Sequence, residues 1–211
     1  MASITTLILI RHGETEWNRE RRIQGQLDSV LTPEGVAQAE ACAKRLAEEQ
    51  IDAVFASDLG RVRHTARLLL NGRTLPTTFD ADLRERCFGT GQGMTYAEMD
   101  AKYPQIFAQT GLVDSEFTLP EGETRAVFHA RVNNAIRRLA AAHEGKRLLV
   151  VTHGGVLGAI YRALNDLPVA SSVRVAIPNV GYNRISIDQN RWRIDAWADT
   201  SHLAVETLGG V

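Results

Sequence analysis

The sequence predicts an α/β fold: three layers, α/β/α, built on a mostly parallel central sheet with helices on both faces and a C-terminal hairpin. Three observations predict it. Short apolar runs alternate with helical patterns from residue 4 to residue 164, the arrangement of successive βαβ units. Three of those runs lack clean apolar–polar alternation, as strands covered on both faces do. Residues 182–197 instead hold two alternating segments with a polar tip between them, the pattern of a hairpin. The 211 residues suit one domain of ordinary size, so the expected domain is residues 1–211.

Ile4–Ile10 (ITTLILI) is the first buried strand. Thr32-Pro33-Glu34-Gly35 opens a helix, with Thr32 as N-cap and Pro33 at the first helical position. Val36, Ala39, Ala43, Leu46 and Ala47 give that helix an apolar stripe to about Glu49. Asp52–Ala56 is the second strand. Ser57-Asp58 then caps a helix over Leu59–Leu70, which Asn71-Gly72 ends. From about Phe79 to Gly122 the pattern is less regular, with a turn-rich Gly89-Thr90-Gly91-Gln92-Gly93 and short helical patterns at Tyr96–Lys102 and Pro104–Gln109. A long helix follows over Thr124–His143, with Phe128, Val132, Ala135, Ile136 and Leu139 on one face. Arg147–Thr152 is the third buried strand, and a helix over Gly154–Leu164 starts directly after it. Tyr182–Ile187 and Trp192–Trp197 form the hairpin.

Open parallel sheets bind ligands beyond the carboxyl ends of their strands. Arg11-His12-Gly13-Glu14-Thr15 follows the first strand, Ser57-Asp58-Leu59-Gly60-Arg61 the second, and Thr152-His153-Gly154-Gly155 the third. Two histidines and two arginines therefore meet at one end of the sheet. A single histidine there is commonly a packed or capping residue, and a single arginine a surface ion pair. Together they suggest an anion pocket, because guanidinium forks suit phosphate or carboxylate. The helix N-termini after the second and third strands would add N–H donors. A neutral imidazole in that pocket has the chemistry of a nucleophile or acid–base group.

Other chemistries find little support. The six histidines include no His-x-x-x-His pair, so no metal site is expected. Gly89–Gly93 lacks the Gly-Lys-Ser/Thr ending of a P-loop, and no Gly-x-Ser-x-Gly elbow occurs. Lys44, Lys102 and Lys146 all lie away from the strand ends, which disfavours a Schiff base. Lys+Arg number 24 against 25 Asp+Glu, without the basic excess of a nucleic-acid binder. Cys42 and Cys87 are far apart and form no ligand spacing. No apolar run reaches the roughly 18 residues of a membrane helix, and Leu7–Ile10 is too short for a signal-peptide core. The expected protein is cytoplasmic, with no cofactor and no nucleic-acid or membrane partner, and either a monomer or a homodimer.

Five blocks carry a family resemblance. Arg11–Asn18 (RHGETEWN), Arg22–Thr32 (RIQGQLDSVLT), Ser57–Ala66 (SDLGRVRHTA), Leu83–Gly89 (LRERCFG) and Val151–Gly155 (VTHGG) resemble, in order, the blocks of the histidine phosphatase superfamily, also called the phosphoglycerate mutase-like family. The resemblance runs from residue 4 to about residue 160. It implies that His12 is the nucleophile that becomes phosphohistidine. Arg11, Arg61 and His153 would surround the phosphoryl oxygens, with Asn18 as a further donor. Glu85 would protonate the leaving alcohol and then activate water. Gln24 and Gly25 match substrate-side positions, with Thr15 and Gly154 adjacent. Read without the resemblance, Glu85 pairs with Arg84 or Arg86, and Asn18 caps a turn.

The implied chemistry is phosphoryl transfer, which is mostly positioning and charge stabilisation. A proton donor to a poor alkoxide leaving group adds about 10²–10⁴-fold. Hydrolysis and mutase chemistry share this pocket. The cofactor-dependent mutase branch has a longer middle insertion and a Phe-x-Gly-Trp stretch where this chain has Arg22–Asp28, which resembles the phosphatase branch. Glu85-Arg86-Cys87-Phe88-Gly89 is nearer the mutase block Glu-Arg-x-Tyr-Gly, and Arg86 would then bind a substrate carboxylate. The expected activity is therefore a metal-independent phosphatase of small phosphorylated metabolites, with phosphoglycerate mutase as the alternative. A catalytically silent phosphate binder is a third reading, disfavoured by the presence of His12 and Glu85. Residues 87–122 are expected to cover the substrate.

Overall fold

The computed structural model describes residues 4–104, 116 and 118–203. Its elements are β1 (Thr5–Arg11), α1 (Glu16–Arg19), α2 (Pro33–Leu46), β2 (Ala53–Ala56), α3 (Gly60–Leu70), β3 (Thr77–Phe79), α4 (Tyr96–Lys102), α5 (Arg125–Ala142), β4 (Arg147–Thr152), α6 (Gly154–Leu164), β5 (Tyr182–Asp188) and β6 (Arg191–Asp199). The strands form one sheet in the order β3-β2-β4-β1-β5-β6. β3, β2, β4 and β1 run parallel, and β5 and β6 are antiparallel additions on the β1 side. This is the expected three-layer fold with its hairpin.

The apolar runs are buried on both faces because each face has its own helix pair. Leu7, Leu9, Leu148 and Val150 point to a core built with Phe128, Val132, Ile136 and Leu139 of α5 and Val156, Leu157 and Ile160 of α6. Ile8, Ile10, Leu149 and Val151, the alternate positions, point to Cys42 and Leu46 of α2 and Val62, Ala66 and Leu69 of α3. Alternation across a strand thus survives in a continuous apolar run. A smaller cluster of Ile23, Met99 and Leu119, with Phe88 and Met94 against it, underlies the segment around α4.

Several local expectations need correction. Thr32 caps α2 through Gly35 N with Pro33 in the first turn, but α2 stops at Leu46, and Cys42 rather than Ala47 completes its buried stripe. Ser57-Asp58 does not cap α3. The cap position is Leu59, which has no capping side chain. Asp28, far back in the chain, accepts from Gly60 N at 2.7 Å and Arg61 N at 3.3 Å. Asn71 does end α3, in the left-handed conformation at φ 43°. The sequence reading lacks β3 and α1. The three β3 residues are exposed, so the strand leaves no apolar signal, and α1 is a single turn fixed by a capping box of Thr15 and Asn18. The helical pattern expected at Pro104–Gln109 lies outside the described residues beyond Pro104.

Candidate active site

Strand register assembles the site. Arg11 at the end of β1 pairs with Thr152 at the end of β4, and Ala56 of β2 pairs with Val151. The next residue of each strand is His12, His153 or Ser57, and the three meet beyond the sheet. His12 N donates to Thr152 O at 2.9 Å, and Ser57 N to Val151 O at 3.1 Å. The loop before β5 closes the other side: Arg11 Nη1 donates to Ile177 O at 2.8 Å, and Asn179 Nδ2 to His12 O at 2.9 Å.

Arg11, His12, Asn18, Gln24, Gly25, Arg61, Glu85, Arg86 and Gly154 line a cavity of about 530 Å³ there. Thr15 and His153 do not line it. Both are fully buried behind its wall.

His12 is held as one tautomer. Its Nδ1 lies 2.8 Å from Gly13 O. A carbonyl only accepts, so Nδ1 carries the proton and Nε2 the lone pair. Burial, followed by Arg61 and Arg11, holds this imidazole well below the ordinary histidine range, against a smaller raising effect of the Gly13 bond. A neutral imidazole with an open Nε2 results.

His153 is also neutral, with the opposite tautomer. Arg61 Nη2 donates to its Nδ1 at 3.1 Å, because guanidinium has no acceptor. The proton is therefore on Nε2, which donates to Ser57 Oγ at 2.8 Å. Burial, then Arg61, His12 and Arg11, keep it well below its usual range. The His12 and His153 rings meet edge to face, centroids 5.4 Å apart. Both ring nitrogens of His153 are thus engaged, by Arg61 and Ser57.

Arg61 is tied down on one side. Nη1 donates to Leu27 O at 2.6 Å and Asp28 Oδ1 at 3.0 Å, and Nη2 to Gly25 O at 2.7 Å. Gly25 presents that carbonyl from a left-handed backbone, φ +53°, which glycine adopts without strain. Burial pulls the Arg61 and Arg11 guanidinium pKa values down, most strongly opposed in each case by the Glu85 carboxylate. Arg11 Nε and Arg61 Nε are buried donors without a partner among the described residues, and Gln24 Oε1 is a buried acceptor without one. Orphaned buried donors are costly unless an anion completes them.

Glu85 faces the arginines from the segment after a 3₁₀ turn, Ala81–Leu83. Thr152 Oγ1 fastens that turn to β4 by donating to Leu83 O at 2.8 Å. The carboxylate does not pair with Arg84, which forks onto Asp58 at 2.6 and 2.5 Å. Its oxygens accept instead from Gly155 N and Arg86 N, both at 2.8 Å. The N-terminus of α6 thus holds Glu85, and that of α3 holds Asp28, so neither offers these N–H groups to a ligand as the sequence reading expected. Asn18 both caps and lines the cavity. Its Oδ1 accepts from Thr15 N and Oγ1, each at 3.1 Å, which leaves its amide NH₂ to offer.

Sequence reasoning missed Arg22, Tyr96, Arg125, His129 and Arg162, which also line the cavity. His129 and Arg162 sat in helices whose apolar faces alone were read. Arg22 belongs to the segment Arg22–Thr32, for which the resemblance implies roles only at Gln24 and Gly25.

A strand-end imidazole with a free Nε2, set between two arginines that have unpartnered Nε donors, suits a phosphoryl group. The sequence matches the histidine phosphatase superfamily (branch 1) over residues 7–200. The chain belongs to that superfamily. It is 36% identical over 206 residues to a metal-independent phosphoserine phosphatase of Arabidopsis thaliana, covering 96% of this chain and 85% of that protein. It is 37% identical over 201 residues to phosphoglycerate mutase-like protein 4 of the same plant, covering 93% and 86%. Among solved structures it is similar to a mycobacterial glucosyl-3-phosphoglycerate phosphatase in complex with VO3, at TM-score 0.80 and 33% identity over 92% of this chain and 98% of that one. The superfamily and its phosphatase relatives support phosphatase function in this chain.

Among the described residues no group of three or more His, Cys, Asp and Glu could hold a metal ion. No helix among them is long and apolar enough to cross a membrane.

Proposed function

We propose that this protein hydrolyses small phosphate monoesters through a phosphohistidine on His12 Nε2, without a metal ion. One observation carries the reading: the His12 tautomer, fixed by Gly13 O, presents a neutral Nε2 beside two arginines whose Nε donors are buried and unpartnered. In the first step the Nε2 lone pair attacks phosphorus and the bond to the ester oxygen breaks. Glu85 gives its proton to that oxygen, and the alcohol leaves. In the second step Glu85, now ionised, takes a proton from water, whose oxygen attacks phosphorus. The P–N bond breaks and neutral His12 returns. Arg11, Arg61 and the Asn18 amide neutralise charge on the equatorial oxygens throughout. His153 is a positioning residue that aims Arg61. Gln24, Gly25 and Arg86 lie on the substrate side, and from the described part of residues 87–122 Phe88 and Tyr96 stand in the cavity wall.

Phosphorus NMR of the protein with a panel of phosphate monoesters in EDTA tests this. Growing inorganic phosphate is the expected result, abolished with covalent labelling in His12→Ala while the thermal melt persists. Interconversion of phosphoglycerates without free phosphate would mean a mutase instead.

A further inference from the structure

The cavity extends well past the phosphoryl site, and its far wall is cationic. α6 measures the distance. Gly154 and Gly155 open the helix beside Arg11 and Glu85. Gly158 lies one turn on, about 6 Å along the axis at 1.5 Å per residue. A side chain at Gly158 would meet Arg162 Nη1 at 3.0 Å and Ile177 Cδ1 at 3.4 Å, so this turn is kept bare where Arg162 passes. Arg162 donates Nη1 to Gly158 O at 3.0 Å and Nη2 to Val173 O at 2.9 Å. Its Nε is a buried donor without a partner among the described residues, and no described carboxylate forms a salt bridge with it.

Across the same cavity, α5 contributes Arg125 and buried His129. The charges that act on His129 are Arg125, Arg162 and Arg86, all cationic, and together with burial they push it down to about 4. Arg125 is in turn lowered by burial, Arg162 and Arg86. Arg11 and Arg61 do not enter this group; Glu85 acts on both, Arg61 also on Arg11, and Asp28 on Arg61. The cavity therefore has two cationic centres. One surrounds His12. The other, Arg162 with Arg125 and His129, has no part in the phosphoryl chemistry.

We infer that this second centre is an anion subsite, and that the substrate is a phosphate monoester carrying a second negatively charged group, carboxylate or phosphate, about one to two helical turns from the reacting phosphorus. The inference rests on the hydrolase reading of the same cavity. The unpartnered Arg162 Nε, the positive charge of Arg125, whose Nη2 also donates to Ser171 O at 3.4 Å, and a neutral imidazole suit either oxyanion. Placing a second anion there would anchor the substrate by a part that does not react, and fix the ester oxygen against Glu85.

The experiment compares kcat/KM for p-nitrophenyl phosphate, for 3-phosphoglycerate and phosphoserine, for a sugar bisphosphate, and for glycerol 3-phosphate as a monoanchored control. Wild type, Arg162→Gln and Arg125→Gln are measured. Glutamine at 162 keeps an amide donor for the Val173 carbonyl while removing the charge, and Arg125→Gln perturbs the centre from the opposite helix. The expected wild-type preference is for substrates with a second anion. In each variant the ratio of that kcat/KM to the p-nitrophenyl phosphate value falls about 10–100-fold, mainly through KM. Preference for carboxylates over the bisphosphate, or the reverse, identifies the anion. Equal losses on every substrate, or a wild type indifferent to the second anion, would overturn the subsite while leaving the hydrolase. Failure of wild type to release phosphate from p-nitrophenyl phosphate and from every other ester would overturn both.

Discussion

Arg131 lies in the middle of α5, and its removal probes whether Glu85 works as an acid. Its guanidinium forks onto Glu123, Nε to Oε1 at 2.9 Å and Nη2 to Oε2 at 2.8 Å. Nη1 also donates to Asp82 O at 2.7 Å and Arg84 O at 3.1 Å, and Nη2 reaches Glu85 O at 3.4 Å. One side chain thus pins the backbone from Asp82 to Glu85. Glu123 returns the tether from its own strand of chain: its N donates to Cys87 O at 2.8 Å, and its O accepts from Arg86 Nε at 2.8 Å. Arg131→Met breaks an ion pair whose side chains are 18% and 13% exposed, and leaves the Glu123 carboxylate largely unpaired. That costs about 3 kcal/mol, within the roughly 5–15 kcal/mol of a folded domain. The fold survives, with Tm lower by about 6–12 °C.

The larger effect is on Glu85. A shift of about 1 Å in an acid group can cost about 10²-fold. The expected kcat loss in Arg131→Met is about 10–100-fold for alkyl phosphates, and much less for p-nitrophenyl phosphate, whose phenolate leaves without a proton. Arg131→Lys should recover part of the stability but little of the alkyl-phosphate rate, because the three donors of a single ammonium nitrogen cannot reproduce the fork onto Glu123 together with the bonds to the Asp82, Arg84 and Glu85 carbonyls. Steady-state kinetics on both substrate types and thermal melts read these effects. Equal losses on both substrates, or an unchanged alkyl-phosphate kcat, would refute the positioning argument.

Three further outcomes are expected. Asp28→Ala removes the α3 cap and one tie on Arg61, so stability falls by about 1 kcal/mol and KM rises several-fold; an unchanged KM would mean that the Leu27 and Gly25 carbonyls suffice to aim Arg61. Gly155→Ala places a methyl group against Glu85 Oε1, so kcat on alkyl phosphates drops at least about 10-fold with little change in the melt, and wild-type kcat would place the working carboxylate elsewhere. The histidines make stability acid-sensitive. Folded His12 and His153 titrate well below the usual histidine range and His129 near 4, so between the unfolded value near 6.5 and those depressed values the unfolded chain binds more protons. Stability is then fully present above about pH 6.5 and declines as pH falls below it. Urea midpoints at pH 7 and pH 5 measure this, and a midpoint that rises at pH 5 contradicts the buried neutral imidazoles.

The sheet and its carboxyl edge were legible because their signals are local. Leu7–Ile10 and Leu148–Val151 must be strands covered on both faces, and whatever follows such strands lies at one edge. His12, Arg61 and His153 could be placed together on that ground alone. The connections that set their chemistry were not legible, since they join residues distant in sequence. Asp28 reaches Gly60 and Arg61 across more than thirty positions, and Arg61 fixes the His153 tautomer from the first turn of α3. Ser57 carried a capping signature, yet its hydroxyl serves His153 Nε2. The sequence offered Asn18 as either a donor or a cap, whereas its capping box and its place in the cavity are compatible rather than alternative. β3 escaped because an exposed edge strand of Thr-Thr-Phe has no buried face to leave a pattern.

Both helices that begin at the site receive a carboxylate from elsewhere in the chain, and this decides how the pocket handles charge. A helix N-terminus at a sheet edge is a ready anion site. Here Asp28 occupies that of α3 and Glu85 that of α6. In the proposed mechanism phosphoryl charge is therefore left to the side chains of Arg11 and Arg61, whose buried Nε donors have no partner among the described residues. The division is useful to a two-step transfer. In that mechanism Glu85 loses and regains a proton without moving, and two backbone N–H groups, at Gly155 and Arg86, fix both of its oxygens while leaving each a second lone pair. An acid held by a flexible side-chain partner would exchange that partner for the phosphoryl group at each turnover. An acid held by backbone donors does not compete with the arginines for the substrate.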